Sequence, residues 1–224
     1  MKLIYISGID GCGKTTQAQE LVKYLRIQGV DAEYKWLRWE PSIGKIIRFF
    51  RKRAVNSSKY NHKNERSSKE SLAYQDWGGF KKRFLSNRLL RRAWLAYACT
   101  DYYLATKKYF RKVMADVLVV DRYVEDFIVD QACNLGVGVV EFRNLVSWSL
   151  LNRVPEPNFS IIIHLPSEEG YRRKNDGTPL EYLKEREKWY EQFPRSEDVL
   201  HVDGLKSVEA ISGEIHDWVT KKLK

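Results

Sequence analysis

Gly8-Ile9-Asp10-Gly11-Cys12-Gly13-Lys14-Thr15 decides the fold. The stretch has the spacing G-x-x-x-x-G-K-[ST], and it lies between an apolar run, Leu3 to Ser7, and an amphipathic stretch, Lys14 to Gln28. Glycines at Gly8, Gly11 and Gly13 let the backbone curl until successive N–H groups converge on phosphate oxygens. Lys14 adds a cation for the outer phosphates, Thr15 a hydroxyl for Mg²⁺, and Thr16 continues into the helix, whose N-terminus supplies further positive potential. A Gly-rich turn opening a helix also arises for structural reasons alone, but here the strand before it and the helix after it are both present. Cys12 reads as a small filler or as a redox thiol beside the helix start.

Outward from this loop, short β-rich runs alternate with helical periodicity. Strands are expected at Leu3 to Ser7, Ala32 to Leu37, Val117 to Asp121, Phe159 to Leu165 and Val199 to Val202. Helices are expected at Lys14 to Gln28, Ile43 to Arg53, Phe80 to Val113, Val139 to Asn152, Leu180 to Phe193 and Ser207 to Leu223. The alternation predicts an α/β domain over residues 1–224: a P-loop NTPase fold with a mostly parallel five-stranded sheet covered by helices. Val55 to Gly79 is polar and charged without apolar period, which predicts a mobile basic insertion. Lys174-Asn175-Asp176-Gly177-Thr178-Pro179 carries two breakers and reads as the tip of a basic flap.

Composition narrows the class further. Aromatic residues make up 13% of the 224 residues, too many for a chain that stays disordered. Cys12, Cys99 and Cys133 form no CxxC pair and no metal-ligand spacing with the four histidines, so a reducing, cytoplasmic setting is expected. Apolar runs such as Val117 to Val120 have strand length rather than the roughly 20 residues of a membrane span. Met1 to Ile6 leads into the Gly-rich turn and reads as a first strand, not a signal peptide. The net charge of +10 is concentrated: Lys45 to Arg92 holds 15 Lys or Arg against three acids, leaving the remainder at about −2. That segment reads as a solvated face or substrate-phosphate funnel in preference to a site for nucleic acid or anionic membrane.

A nucleotide-binding loop needs a carboxylate at the end of a nearby strand for the metal, and Leu118-Val119-Val120-Asp121 supplies one. Asp121-Arg122-Tyr123, together with Gly8 to Gln17, Arg38 with Glu40-Pro41, Pro157 to Pro166 and the basic residues near Arg172, resembles the thymidylate kinase family over nearly the whole chain. The resemblance implies transfer of the ATP γ-phosphoryl group to dTMP with Mg²⁺, in a two-fold dimer. It implies that Asp10 contacts the acceptor sugar, that Arg122 grips the acceptor phosphate, and that Asp121 serves the metal and the attacking oxygen. It adds Arg38, Asp101, Tyr123 and Gln131 to the acceptor contacts. The family supplies transition-state cations from the loop or from the flap. With Gly11 and Cys12 in the loop, Arg172, Arg173 and Lys174 stand as the flap version.

The chain departs from the family at three carboxylates. Asp126 and Asp130 stand where the family has Ser and a Tyr beside the deoxyribose, and Asp101 replaces an Arg of the long helix. A carboxylate accepts hydrogen bonds only, so these residues open a second reading: the same chemistry on another nucleotide, a sugar or a glycan precursor. A third reading, a nucleotide-dependent polyanion-binding module, rests on the basic segment alone.

Overall fold

The computed structural model describes residues 1–42, 44, 87–174 and 178–223. The strands are β1 (Lys2–Gly8), β2 (Ala32–Trp36), β3 (Val117–Asp121), β4 (Phe159–His164) and β5 (Val199–Asp203). The helices among the described residues are α1 (Lys14–Ile27), α2 (Arg88–Phe110), α3 (Val124–Leu135), α4 (Val139–Val146), α5 (Ser167–Arg173), α6 (Leu180–Glu191) and α7 (Val208–Leu223). The strands form one all-parallel sheet in the order β2-β3-β1-β4-β5, with Ile6 opposite both Asp121 and Ile161. Parallel strands need helical crossovers, and helices on both faces bury them, which is why β1, β3 and β4 are apolar nearly throughout.

This order sets the position of the site. The chain leaves β1 toward β2, past β3, and leaves β3 toward β4, past β1, so these neighbouring strands send their crossovers in opposite directions along the sheet. In open α/β sheets a crevice forms outside the carboxyl ends of the strands where the strand order reverses. Gly8 ends β1 and Asp121 ends β3, so the glycine-rich loop and the strand-end carboxylate meet there.

On the sheet's flanks, α1 and α7 pair through Tyr24, which stacks on His216 at 4.0 Å and shares a 3.0 Å hydrogen bond with Thr220. Elsewhere α2 and α3 meet through Tyr102 and Phe127, with ring centroids 4.7 Å apart, and Trp94 of α2 donates to Gln131 of α3.

All five strands stand within two residues of their expected ends; the helices needed more correction. The helix expected at Phe80 to Val113 is described from Arg88 to Phe110, with Asn87 Oδ1 accepting from the N–H groups of Leu89 and Leu90; residues 80–86 of the expectation lie outside the described residues. The helix expected at Val139 to Asn152 ends at Val146, and a 3-10 turn at Leu150–Arg153 follows, capped by Ser149. Both α3 and α5 were unforeseen. The expected helix at Ile43 to Arg53, the insertion at Val55 to Gly79 and the flap tip at residues 175–177 lie outside the described residues, as does most of the basic segment.

Candidate active site

The loop's glycines are required one by one. Gly8 has φ +147°, and a Cβ there would stand 2.3 Å from the Ile163 carbonyl oxygen. Gly11 has φ +88°, and its Cβ would meet the Gly170 carbonyl oxygen at 2.6 Å; Gly170 in turn has the Asp10 carbonyl oxygen 2.7 Å from its own Cβ position. Loop and α5 thus touch backbone to backbone. A side chain at Gly11 would collide with the α5 backbone, so this loop position has no room for an arginine. Gly13, at φ +91°, turns the chain into α1. Cys12 is buried, and burial pushes its thiol above the ordinary range, opposite to what a reactive thiolate needs, so it packs as a filler.

Lys14, also buried, donates from Nζ to the Ile9 carbonyl at 2.6 Å, and burial lowers its pKa. Thr15 Oγ1 donates to Asp121 Oδ2 at 2.5 Å, and Tyr34 OH approaches the same oxygen at 3.3 Å. Asp121 Oδ1 is buried and has no hydrogen-bond partner. An unpartnered carboxylate oxygen beside a threonine hydroxyl fits a hard cation that takes few protein ligands and completes its shell with phosphate and water. Among the described residues no group of three His, Cys, Asp or Glu gathers at metal-binding distance, so a cage made of protein alone is not what this site provides.

Arg122 has φ +66°, a left-handed conformation that costs a non-glycine residue about 1 kcal/mol or more. It follows the last residue of β3 and is almost fully buried between two carboxylates: Nη2 donates to Asp10 Oδ1, and Nη1 lies 3.6 Å from Asp126 Oδ1 without a hydrogen-bond partner of its own. Burial alone would raise the Asp10 carboxyl and lower Arg122. Arg122 and then Lys14 outweigh it and hold Asp10 well below the usual carboxylate range, while Asp126 and Asp10 hold Arg122 firmly protonated.

A network that the sequence did not signal lies beneath. Asp126 accepts from Tyr5 OH at 2.6 Å, Ser7 Oγ at 3.0 Å, Tyr190 OH at 2.8 Å and the Tyr123 N–H at 3.1 Å. Arg186 of α6, with no exposed surface, donates to Asp126 at 3.3 Å and to Asp130. Asp130 also accepts from Tyr182 OH and lies 3.9 Å from Arg38.

A cavity of about 340 Å³ collects most of the expected residues: Asp10, Gly11, Gly13, Lys14, Thr15 and Thr16 from the loop and α1, Trp36 and Arg38 after β2, Asp121 and Arg122 after β3, and Arg173 and Lys174 from the flap. Lys174 Nζ lies 3.6 Å from Asp10 Oδ1. Gly8 and Cys12 shape the loop without lining the cavity. Arg172 is 78% exposed, holds Glu169 and does not line it; Arg173 does, while bonding Glu169 and the Gly204 carbonyl. Three expected acceptor contacts are spent internally. Tyr123 OH donates to the Pro155 carbonyl, Gln131 Oε1 accepts from Trp94, and Asp101 accepts from Trp39 Nε1 and from both the N–H and the hydroxyl of Ser42. Trp36, absent from the expected set, lines this cavity and a neighbouring one of about 250 Å³ with Trp39 and Tyr102.

A parallel α/β sheet with a glycine-rich loop closing on the strand-end carboxylate defines the P-loop NTPase fold. No family model matches the chain. It is similar along its whole length to curated thymidylate kinases. That of Prochlorococcus marinus subsp. pastoris is 21% identical over 99% of this chain and 96% of the relative, and that of Desulfotalea psychrophila is 25% identical over 100% and 96%. The relationship is therefore thymidylate kinase-like. No helix among the described residues is long and apolar enough to cross a membrane.

Proposed function

We propose that the chain is a Mg²⁺-dependent nucleoside monophosphate kinase that moves the ATP γ-phosphoryl group to dTMP, giving dTDP. The observation that carries the reading is a single cavity in which Lys14, Thr15 and Asp121 stand with Arg122, Arg173 and Lys174. In this reading the loop N–H groups and Lys14 hold the donor phosphates. Thr15 and Asp121 would hold Mg²⁺, which supplies charge neutralisation on the bridging phosphate oxygens. Arg122, whose guanidinium stands at the wall of the cavity, holds the acceptor phosphate in line. Arg173 and Lys174 stabilise charge on the equatorial oxygens of the group in flight. No covalent intermediate is required, since positioning and charge do the catalysis. The full-length likeness to thymidylate kinases supports dTMP as the acceptor.

A different acceptor remains a second reading on one observation: Asp130 occupies the place of the family's deoxyribose-side Tyr, with Arg38 beside it. Asp101 lends that reading no support, because Trp39 and Ser42 occupy both its oxygens. A two-fold dimer belongs to the same proposal, with Leu89 and Leu104 exposed on α2; light scattering reports it.

The test is ADP release from Mg-ATP with dTMP, dUMP, CMP, UMP or no acceptor, with Lys14→Ala as the blank. Turnover stimulated by dTMP above the others and lost in the variant supports the proposal. Stimulation by none of the four, with Mg-ATP still bound, refutes the acceptor assignment.

A further inference from the structure

Arg186 has no exposed surface, although arginine is among the side chains least often buried completely. It comes from α6, on the far side of the flap from Arg173 and Lys174, and lines no part of the phosphate cavity. Its two terminal nitrogens reach two aspartates four residues apart on one face of α3: Nη2 to Asp126 at 3.3 Å, Nη1 to Asp130. Tyr190 OH accepts from Nη2 at 2.9 Å and Tyr182 OH from Nη1 at 3.0 Å, which fixes the plane of the guanidinium.

Asp126 is the pivot of this arrangement. One of its oxygens, Oδ1, takes Arg186 and Tyr190 and lies 3.6 Å from Arg122 Nη1; the other takes Tyr5 OH and the N–H of Tyr123, the residue after Arg122. Two buried guanidiniums therefore share one carboxylate, and each limits how far the other can draw it. Without Arg186, Asp126 would stand beside Arg122 with one balancing cation fewer, and Asp130 would keep only Arg38 at 3.9 Å. Asp126 would then draw the Arg122 guanidinium, already 3.6 Å away at Nη1, deeper into the core and away from the cavity. Tyrosine, serine and backbone donors to Asp126 cannot replace the missing charge.

We propose that Arg186 is a positioning residue for phosphoryl-acceptor binding: through Asp126 it sets where the Arg122 guanidinium stands at the wall of the cavity, and it anchors the α6 arm of the flap to α3. This rests on the kinase reading, in which Arg122 is the acceptor grip. A displacement near 1 Å of a substrate-holding group costs on the order of 100-fold in rate, so the effect should be large and confined to the acceptor side.

The experiment uses the full chain and reads the wild type first, as ADP release against dTMP concentration at saturating Mg-ATP. No acceptor-dependent turnover there refutes the kinase reading itself. With turnover established, Arg186→Met, Arg186→Lys and the double variant Arg186→Met/Asp126→Asn are compared for dTMP KM, kcat, Mg-ATP affinity and thermal midpoint. The expected result is a dTMP kcat/KM lower by roughly 30- to 100-fold in Arg186→Met, with Mg-ATP affinity within about threefold of the wild type. Arg186→Lys should be intermediate, and the double variant should recover a good part of the loss because it removes the unbalanced anion with the cation. A purely structural role predicts a lower midpoint with unchanged dTMP KM, and no rescue by Asp126→Asn; either overturns the proposal. Should Arg186→Met fail to fold, Arg186→Lys decides: an unchanged dTMP KM and kcat in that chain overturns it as well.

Discussion

Gly170→Ala isolates the contact between the phosphate loop and the flap. Gly170 lies inside α5, so the substitution brings no left-handed strain; helix propensity favours alanine by about 1 kcal/mol. The added Cβ nevertheless meets the Asp10 carbonyl oxygen at 2.7 Å and Ile9 Cδ1 at 2.8 Å. Ile9 can turn its side chain aside, whereas the Asp10 carbonyl belongs to a loop fixed by three left-handed glycines. Relief therefore requires α5 to withdraw by about 0.7 Å, the shortfall from ordinary van der Waals contact near 3.4 Å. Overpacking costs about 1 to 3 kcal/mol, so the net loss of stability is about 0 to 2 kcal/mol, or up to roughly 8 °C in thermal midpoint for a chain of this size. Arg173 and Lys174 stand one turn further along the same helix and move with it. The kinetic loss should exceed the loss of stability: a fall of about 10- to 100-fold in kcat, with Mg-ATP affinity little changed. The assay is ADP release beside circular dichroism melting on the same preparation. A folded Gly170→Ala chain with kcat within about threefold of the wild type would refute the view that this backbone contact sets the position of the flap cations.

Three further outcomes follow from the site. In Asp10 and Asp126, burial would raise the carboxyl but neighbouring cations, Arg122 foremost, lower it overall; folded values below the unfolded ones mean their stabilisation is complete above about pH 4 and lost as pH falls below it. Melting at pH 6, 4 and 3 should show a steep acid loss for the wild type and a shallower one for Asp10→Asn; parallel slopes count against it. Asp121→Asn should raise the Mg²⁺ concentration for half-maximal turnover about tenfold or more with little change in melting, since the amide oxygen can keep the Thr15 and Tyr34 bonds made at Oδ2 and Oδ1 has none to lose; a Mg²⁺ titration of ADP release decides. Burial pushes Cys99 up to about 11, Cys133 up to about 12 and Cys12 upward, so iodoacetamide at pH 8 should label none of them in minutes in the folded chain and all three in urea, read by intact mass.

The parts legible in the sequence are those where local chemistry and fold agree. β3 is apolar because both faces are covered, and Asp121 ends it because the next position opens on the cavity. The helix α3 was missed for a physical reason. Its stripe of Val124, Phe127, Ile128 and Ala132 carries Gln131 as well, and Asp126 is buried on the opposite side beside Val129, so buried, hydrogen-bonded polar residues interrupt the pattern that periodicity expects. The short helix α5 has two turns, too few for a period to register, and its function lies in a glycine contact that no pattern reports. Tyr123, Gln131 and Asp101 were expected at the acceptor on the resemblance; whether a polar side chain meets ligand or protein depends on partners such as Pro155, Trp94 and Trp39, none of them near in sequence.

The two aspartates that depart from the family on α3 are better understood together than singly. Taken alone, Asp126 would be an uncompensated charge in the core, and Asp130 a charge at its edge; each is costly where water is excluded. Arg186 balances both, and the balance leaves Arg122 with one nitrogen committed to Asp10 and the other without a hydrogen-bond partner. A fully buried arginine between two carboxylates is weak evidence for stability, because a well-packed apolar trio often does as well or better. What an apolar trio cannot do is set the direction of a neighbouring guanidinium. On the proposed kinase reading, Asp126 and Asp130 therefore bear on how Arg122 is held before they bear on which acceptor is recognised, and a change of acceptor would have to be argued from Asp130 and Arg38 alone.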